Sequence, residues 1–148
     1  MFKRKILSKL EAWKRDERHK PLILRGARQV GKTTAVNEFG SQFDNYLYFN
    51  LEMSESVRLF EMDIPLNDLV NMLFASSGKS QREGSTLIFI DEIQNSPKTI
   101  ALLRYFYEQR PDLYVIAAGS LLENLVDVNV SFPVGRVMYM ALRPCSFY

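Results

Sequence analysis

The segment 26–33 reads Gly26-Ala27-Arg28-Gln29-Val30-Gly31-Lys32-Thr33 and matches the pattern G-x-x-x-x-G-K-[ST] at every position. The apolar run 21–25 precedes it, and the segment 32–39, which has helical character, follows it. This order predicts a strand, a glycine-bearing loop and a helix. Backbone N–H groups that converge at such a loop, together with the positive end of the helix dipole, favour a bound polyphosphate.

The side chains after the second loop glycine predict the kind of ligand. Lys32 can reach terminal phosphates, and the hydroxyl of Thr33 is suited to ligate Mg²⁺. The sequence carries no base-reading motif of the GTPase type, which favours ATP. We therefore expect ATP and Mg²⁺ to be bound by Gly26, Ala27, Arg28, Gln29, Val30, Gly31, Lys32, Thr33 and Thr34. The competing interpretation is a strand-to-helix turn with an exposed lysine.

The rest of the chain alternates apolar runs with helical patterns. Further strands are predicted at 46–51, 86–90, 113–118 and 137–142. Helices are predicted at 5–13, 97–109 and 121–126, with an interrupted helical pattern between 54 and 77. Strands that alternate with helices imply right-handed crossovers and a mainly parallel sheet. We therefore predict an α/β fold of three layers, with a five-stranded sheet covered by helices on both faces.

An acidic pair, Asp91-Glu92, ends the continuous apolar run 86–90. A run that is apolar on both faces is typical of a buried parallel strand, and ligands gather at the carboxyl end of such strands. Asp91 can there hold Mg²⁺ through its inner water shell, beside Thr33. Glu92 can polarise a water for in-line attack on the γ-phosphate. Alternatively, the pair is simply the charged end of a buried strand.

Length and composition place the chain among ordinary globular domains. It has 148 residues, of which 47% are hydrophobic and 24% are charged, so we expect one domain with a real core. No apolar run is long enough to cross a bilayer, and the first residues lack a secretory signal, so we expect a cytoplasmic protein without a membrane partner. The single cysteine, Cys145, excludes an internal disulfide and a thiolate metal site.

Positive charge is concentrated near the amino terminus, although the net charge of the chain is only +2. The first twenty residues carry eight Lys or Arg against three Asp or Glu. Ile6, Leu10 and Trp13 recur at helical spacing there, which indicates an amphipathic helix with a basic side. Such a helix could contact DNA or an acidic partner, or it could be a solvated face.

Several segments resemble the AAA+-like ATPases of bacteria and archaea that are often described only as predicted ATP-binding proteins. Besides the loop 26–34, they are 50–52 (NLE), 91–94 (DEIQ), 103–108 (LRYFYE), 118–123 (AGSLLE) and 132–137 (FPVGRV). The resemblance implies a nucleotide domain that is normally followed by a lid and a separate C-terminal domain. We therefore expect a basic helix at 1–20 packed on an ATP-binding domain at 21–148, without that lid and second domain.

The same resemblance implies a strand order and two further site residues. The strand ending at Ala118 is expected between the phosphate-loop strand and the strand ending at Asp91. Ser120 would then sense the γ-phosphate and help to orient water, or cap a helix beginning at Leu121. Arg136 would stabilise the transferred charge, within the chain or across a subunit interface, or be a surface arginine that opens a strand.

Two residues near the acidic pair have open roles. Gln94 either touches the attacking water or caps the following turn. Glu52 faces either the cleft or solvent.

The expected function is hydrolysis of Mg-ATP to ADP and phosphate, which drives a conformational change in an attached domain or in a partner. The partner would be another protein or a second copy of the chain. One alternative is a module that binds nucleotide without hydrolysing it, as a switch, or that associates with DNA. Another is a P-loop kinase, which is disfavoured because no arginine-rich lid segment for an acceptor is apparent.

Overall fold

The computed structural model describes residues 2–25, 32–81, 84–119 and 137–141. The helices are α1 (Phe2–Arg15), α2 (Lys32–Gly40), α3 (Ser54–Phe60), α4 (Leu66–Ser76) and α5 (Pro97–Gln109). The strands are β1 (Leu22–Arg25), β2 (Asn45–Asn50), β3 (Thr86–Asp91), β4 (Tyr114–Gly119) and β5 (Met138–Ala141), and a 3₁₀ turn spans Ile93–Asn95. The helix predicted at 121–126 lies outside the described residues.

The five strands form one sheet in the order β2-β3-β4-β1-β5, and every neighbouring pair is parallel. Strand β4 lies between β1 and β3, as the family resemblance implied. Helices cover both faces of the sheet, because one buried cluster joins it to α1 and α2 and another joins it to α3, α4 and α5. The predicted three-layer α/β fold is confirmed.

Strand β3 is central to both clusters, and all six of its residues are buried. Leu87 and Phe89 pack on the side of α1 and α2, whereas Ile88 and Ile90 pack on the opposite side. Side chains of successive strand residues point to opposite faces, so an apolar run without polar interruptions is needed to fill two cores. Each such side chain contributes roughly 1.5–3 kcal/mol by burial, which holds the carboxyl end of β3 in a defined place.

Helix α1 packs its apolar side against α2 and the sheet. Ile6, Leu10 and Trp13 are buried, and Trp13 Nε1 donates a hydrogen bond of 2.8 Å to the carbonyl of Lys20. The hydroxyl of Tyr114 donates to the Lys14 carbonyl at 2.9 Å. These contacts bind the end of α1 to β4 and to the entry of β1. The division of the chain into 1–20 and 21–148 stays a prediction.

The interrupted helical pattern between 54 and 77 resolves into α3 and α4, with Pro65 immediately before α4. Pro97 occupies the first turn of α5, as predicted, and Ser96 caps that helix by accepting a hydrogen bond from the Thr99 backbone N–H at 3.3 Å. The Ser96 hydroxyl also donates to Glu61 Oε2 at 2.9 Å, so the start of α5 is joined to the end of α3.

A polar clamp aligns the starts of β2 and β3. The backbone N–H of Ser85 donates to Asp44 Oδ2 at 2.9 Å, and the N–H of Asn45 donates to the Ser85 carbonyl at 3.0 Å. Gly84 precedes the clamp with a φ of +84°, and a Cβ at this position would overlap the side chain of Asp44. The clamp sets the register in which Asn50 pairs with Asp91 at the other end of the two strands.

We expect Gly84→Ala to destabilise the protein more than Gly78→Ala. Gly78 also has a positive φ, +67°, but a Cβ there meets nothing within 4 Å. The backbone penalty of about 1–2 kcal/mol should apply to both variants, and the overlap with Asp44 should add roughly 1–3 kcal/mol at Gly84 alone. Urea denaturation of the two variants measures the difference. Equal losses of stability in the two variants would show that the close contact between residue 84 and Asp44 does not contribute.

Candidate active site

The predicted site residues meet at the edge of the sheet where the parallel strands end. Strand β3 ends at Asp91, and helix α2 begins at Lys32. Lys32 is buried, Thr33 is partly exposed and Thr34 is exposed. The other loop residues predicted to bind nucleotide, Gly26, Ala27, Arg28, Gln29, Val30 and Gly31, lie outside the described residues, as do Ser120 and Arg136.

Thr33 and Asp91, the two residues predicted to share a metal ion, are in direct contact. Thr33 Oγ1 donates a hydrogen bond of 3.0 Å to Asp91 Oδ2. Asp91 Oδ1 accepts a bond of the same length from the backbone N–H of Glu92. Both carboxylate oxygens of Asp91 are therefore held, in a side chain that is only 7% exposed. Their roles as metal ligands stay predictions.

Tyr48 is a third donor to Asp91, and the sequence interpretation missed it. Its hydroxyl donates to Asp91 Oδ2 at 3.1 Å. Burial, followed by the charge of Asp91, raises the pKa of Tyr48, so the hydroxyl keeps its proton at neutral pH. The available signal was position: Tyr48 stands two residues before Asn50, and both lie on one face of β2. Only the pairing of β2 with β3 shows that a side chain at this position can reach Asp91.

Glu92 has an unusual backbone conformation. Its φ of 55° and ψ of 45° lie in the left-handed region, and no other non-glycine residue in the described part of the chain has a positive φ. Its side chain is only 5% exposed. A strained backbone at a buried carboxylate is the kind of outlier that accompanies functional sites. The conformation turns the chain abruptly away from β3 into the 3₁₀ turn.

Gln94 contacts the carboxylate of Glu92. Its Nε2 donates to Glu92 Oε1 at 3.2 Å. Gln94 Oε1 is buried and has no hydrogen-bond partner within the described ranges. The sequence predicts that Gln94 contacts the attacking water or caps the following turn. The contact that the structure shows is a different one, with the carboxylate of Glu92.

A cavity of about 250 Å³ opens between these residues. It is lined by Lys32, Thr33, Tyr48, Asn50, Glu52, Asp91 and Glu92. Glu52 is exposed and lines the cavity, so its predicted alternatives, cleft and solvent, both apply. The lining places three carboxylates against one ammonium group, so a divalent cation would offset the excess of negative charge.

The donor set of the cavity fits Mg²⁺. A hydroxyl and a carboxylate are hard oxygen ligands, which this ion prefers. Among the residues that the structure describes, no cluster of three or more His, Cys, Asp or Glu side chains could hold a metal. A cation here would therefore complete its coordination with water and phosphate oxygens, as Mg²⁺ ordinarily does.

No described helix is long and apolar enough to span a bilayer.

Comparison with protein families gives one match, in which a family described as AAA domain covers residues 18–148. No curated protein matches the sequence. Solved structures similar to this chain include the Walker-type ATPase PABY2304 of Pyrococcus abyssi, with 19% identity and a TM-score of 0.55. The Aeropyrum pernix ORC1 protein in complex with DNA has 15% identity and a TM-score of 0.61, and PCH-2 of C. elegans has 15% and 0.55.

These similarities cover nearly all of the present chain but only part of each solved one. The aligned shares of this chain are 98%, 98% and 97%, and those of the three solved chains are 53%, 45% and 43%, in the same order. The chain therefore spans about half the length of the structures that it resembles. At these sequence identities the similarity establishes the fold alone.

The strained backbone at Glu92 predicts which of two substitutions there gives the more stable protein. Glu92→Gly and Glu92→Ala remove the same carboxylate, but only glycine accepts a positive φ without a penalty, so the glycine variant should be more stable by about 1–2 kcal/mol. Arg104, exposed in the middle of α5, is the matched control. There the order should reverse, with Arg104→Gly less stable than Arg104→Ala by about 1 kcal/mol. Urea denaturation of the four variants decides the point, and the same order at both sites would refute the strain.

Proposed function

The chain belongs to the AAA domain family, and from that membership and the geometry of the site we propose that it binds ATP with Mg²⁺ and hydrolyses ATP to ADP and phosphate. The hydrogen bond between Thr33 and Asp91 carries the proposal. It joins two segments 58 residues apart in the sequence, one after the predicted phosphate loop and one at the end of a buried strand.

Lys32 and the loop 26–34 would bind the triphosphate. Lys32 is only 4% exposed and is the first residue of α2, at the positive end of the helix dipole. A partly desolvated cation interacts with phosphate oxygens more strongly than an exposed one. Thr33 would ligate Mg²⁺ directly, and Asp91 would hold it through water. When bound, Mg²⁺ would supply neutralisation of charge on the β- and γ-phosphates.

Glu92 would orient the attacking water. Its carboxylate is buried, lines the same cavity as Lys32 and accepts a hydrogen bond from Gln94. A carboxylate held in this way can accept the proton of a water as the water oxygen attacks the γ-phosphorus and the bond to the β-phosphate oxygen breaks. Ser120, which follows β4, would contact the γ-phosphate. Arg136 would stabilise the charge that develops on the transferred group.

Hydrolysis would serve a larger assembly. The similar solved chains are about twice the length of this one, so the site would act on an attached domain, a partner protein or a second copy of this chain. ATP binding and release of phosphate would drive a conformational change in it. We place this activity in the cytoplasm, as the sequence predicts.

Three variants test the proposal. Lys32→Ala should weaken Mg-ATP binding by about 10-fold or more, because a charged partner of the phosphates is lost. Glu92→Gln should retain binding but lower the rate of phosphate release by about 100-fold or more, because the proton acceptor is lost. Glu55→Gln, an exposed glutamate of α3, is the matched control and should equal the parent.

Calorimetric ATP binding and Mg²⁺-dependent phosphate release, measured side by side, separate these outcomes. If Glu92→Gln hydrolyses ATP as fast as the parent, Glu92 is not the group that activates water. Phosphate that appears on an added acceptor instead of in solution would indicate a kinase.

A second candidate function is binding of DNA by α1. Lys5, Lys9 and Arg15 are exposed on this helix while its apolar side is buried. The Aeropyrum pernix ORC1 structure, similar in fold, was determined with DNA. A basic helix face can neutralise DNA phosphates without reading bases.

If α1 binds DNA, the affinity should fall steeply as salt rises, by roughly 40-fold between about 50 and 200 mM if three phosphates are contacted. Lys9→Ala should weaken binding and reduce the salt slope by about one. Lys79→Ala, at an exposed lysine after α4, is the control and should leave the slope unchanged. Fluorescence anisotropy with a labelled duplex measures both quantities, and an affinity indifferent to salt would eliminate this function.

A further inference from the structure

The hydroxyl of Tyr48 occupies part of the acceptor capacity of Asp91, the residue proposed to hold Mg²⁺ through water. We propose that Tyr48 is a positioning residue, which orients the Asp91 carboxylate so that Mg²⁺ is bound together with ATP. The inference rests on the proposed function and deepens it. Tyr48 belongs to neither the phosphate-loop pattern nor the acidic pair.

Sheet geometry places the hydroxyl where it can reach Asp91. In the parallel register, Tyr48 pairs with Phe89, and Asn50 pairs with Asp91. Tyr48 is therefore diagonal to Asp91 on the same face of the sheet, a separation that a long aromatic side chain can bridge. The ring of Tyr48 lies against that of Phe89, with centroids 5.3 Å apart. Phe89 is fully buried, so the ring has a fixed support and the hydroxyl a fixed direction.

The arrangement of donors leaves one defined position on the carboxylate. An ionised carboxylate has about four acceptor positions, two on each oxygen. Oδ2 accepts from Thr33 and from Tyr48, and Oδ1 accepts from the N–H of Glu92. Within the described residues, the remaining position is thus on Oδ1, where it can accept from a water of the cation. Without the Tyr48 hydroxyl, Oδ2 would also have an open position, so a water of the cation could be accepted at either oxygen and its position would be less well defined.

Tyr48 acts as a donor under ordinary conditions. A phenol keeps its proton at neutral pH, so the hydroxyl donates to the carboxylate. The ring is 40% exposed at the edge of the sheet, whereas Asp91 is nearly buried. Tyr48 therefore supports Asp91 by a hydrogen bond from β2, the strand at the end of the sheet.

Tyr46 provides a matched control on the same strand. It stands two residues earlier on the same face of β2, and its hydroxyl donates to Asn37 Oδ1 of α2 instead of to a carboxylate. Tyr46→Phe and Tyr48→Phe remove the same hydroxyl group from the same kind of position. Only Tyr48→Phe removes a hydrogen bond to Asp91.

The test compares the affinity for ATP in excess Mg²⁺ with the affinity in EDTA, by calorimetry on the parent and both variants. In Tyr48→Phe we expect the ratio of the two affinities to fall by about 10-fold, because loss of a group that orients a metal ligand typically weakens metal binding by that much or more. The affinity in EDTA should stay close to that of the parent, and the melting temperature should fall only by a few degrees, about as in Tyr46→Phe, because each variant loses one hydrogen bond. Tyr46→Phe should leave the ratio unchanged.

Three other outcomes would overturn the inference. An unchanged ratio in Tyr48→Phe would show that the hydroxyl does not support the metal site. A parallel loss of both affinities and of melting temperature would show a purely structural contact. If the parent itself binds ATP no better in Mg²⁺ than in EDTA, both the inference and the proposed function fail. The first two outcomes contradict the inference alone.

Discussion

A nearly buried carboxylate at the end of β3 is the constraint on which the site depends. Removing an ionised carboxylate from water costs several kcal/mol unless hydrogen bonds replace its hydration. Asp91 receives those bonds from three segments: α2 through Thr33, β2 through Tyr48 and its own chain through the Glu92 N–H. The group is therefore stable only when α2, β2 and β3 are assembled in the observed register. The hydrogen bonds to Asp91 that define the candidate metal position therefore form together only when α2, β2 and β3 are correctly folded.

The two hydrophobic clusters explain why this edge can support strain. Ile90, just before the acidic pair, and Ile93, just after it, are both fully buried in one cluster. They anchor the chain on either side of Glu92, which is thereby held in a left-handed conformation that an isolated residue would leave. Packing energy distributed over the core thus stabilises the backbone of one residue at the site. Gln94 then orients the carboxylate on that backbone.

Several elements could be predicted from the sequence because their signal is local. The run 86–90 is apolar on both faces, and it lies in β3, the buried strand that such a run indicates. Helix α5 has the predicted bounds, since Pro97 is favoured in the first turn. Helix α1 extends beyond the predicted 5–13 to Phe2–Arg15, because hydrophobic spacing marks the packed residues of a helix and not its solvated ends. The placement of β4 between β1 and β3 came from resemblance to a family, since periodicity does not specify which strands pair.

The sequence by itself determined the class of fold, the phosphate-loop pattern and the two acidic residues, because strand periodicity and motif spacing are properties of neighbouring residues. Only the tertiary structure decided that Thr33 and Asp91 touch, that Tyr48 shares Asp91 with Thr33, and that Glu92 adopts a left-handed backbone. Each of these depends on which strands lie side by side and in what register. That arrangement is set by burying both faces of one sheet at once, a condition that no single segment of the chain contains.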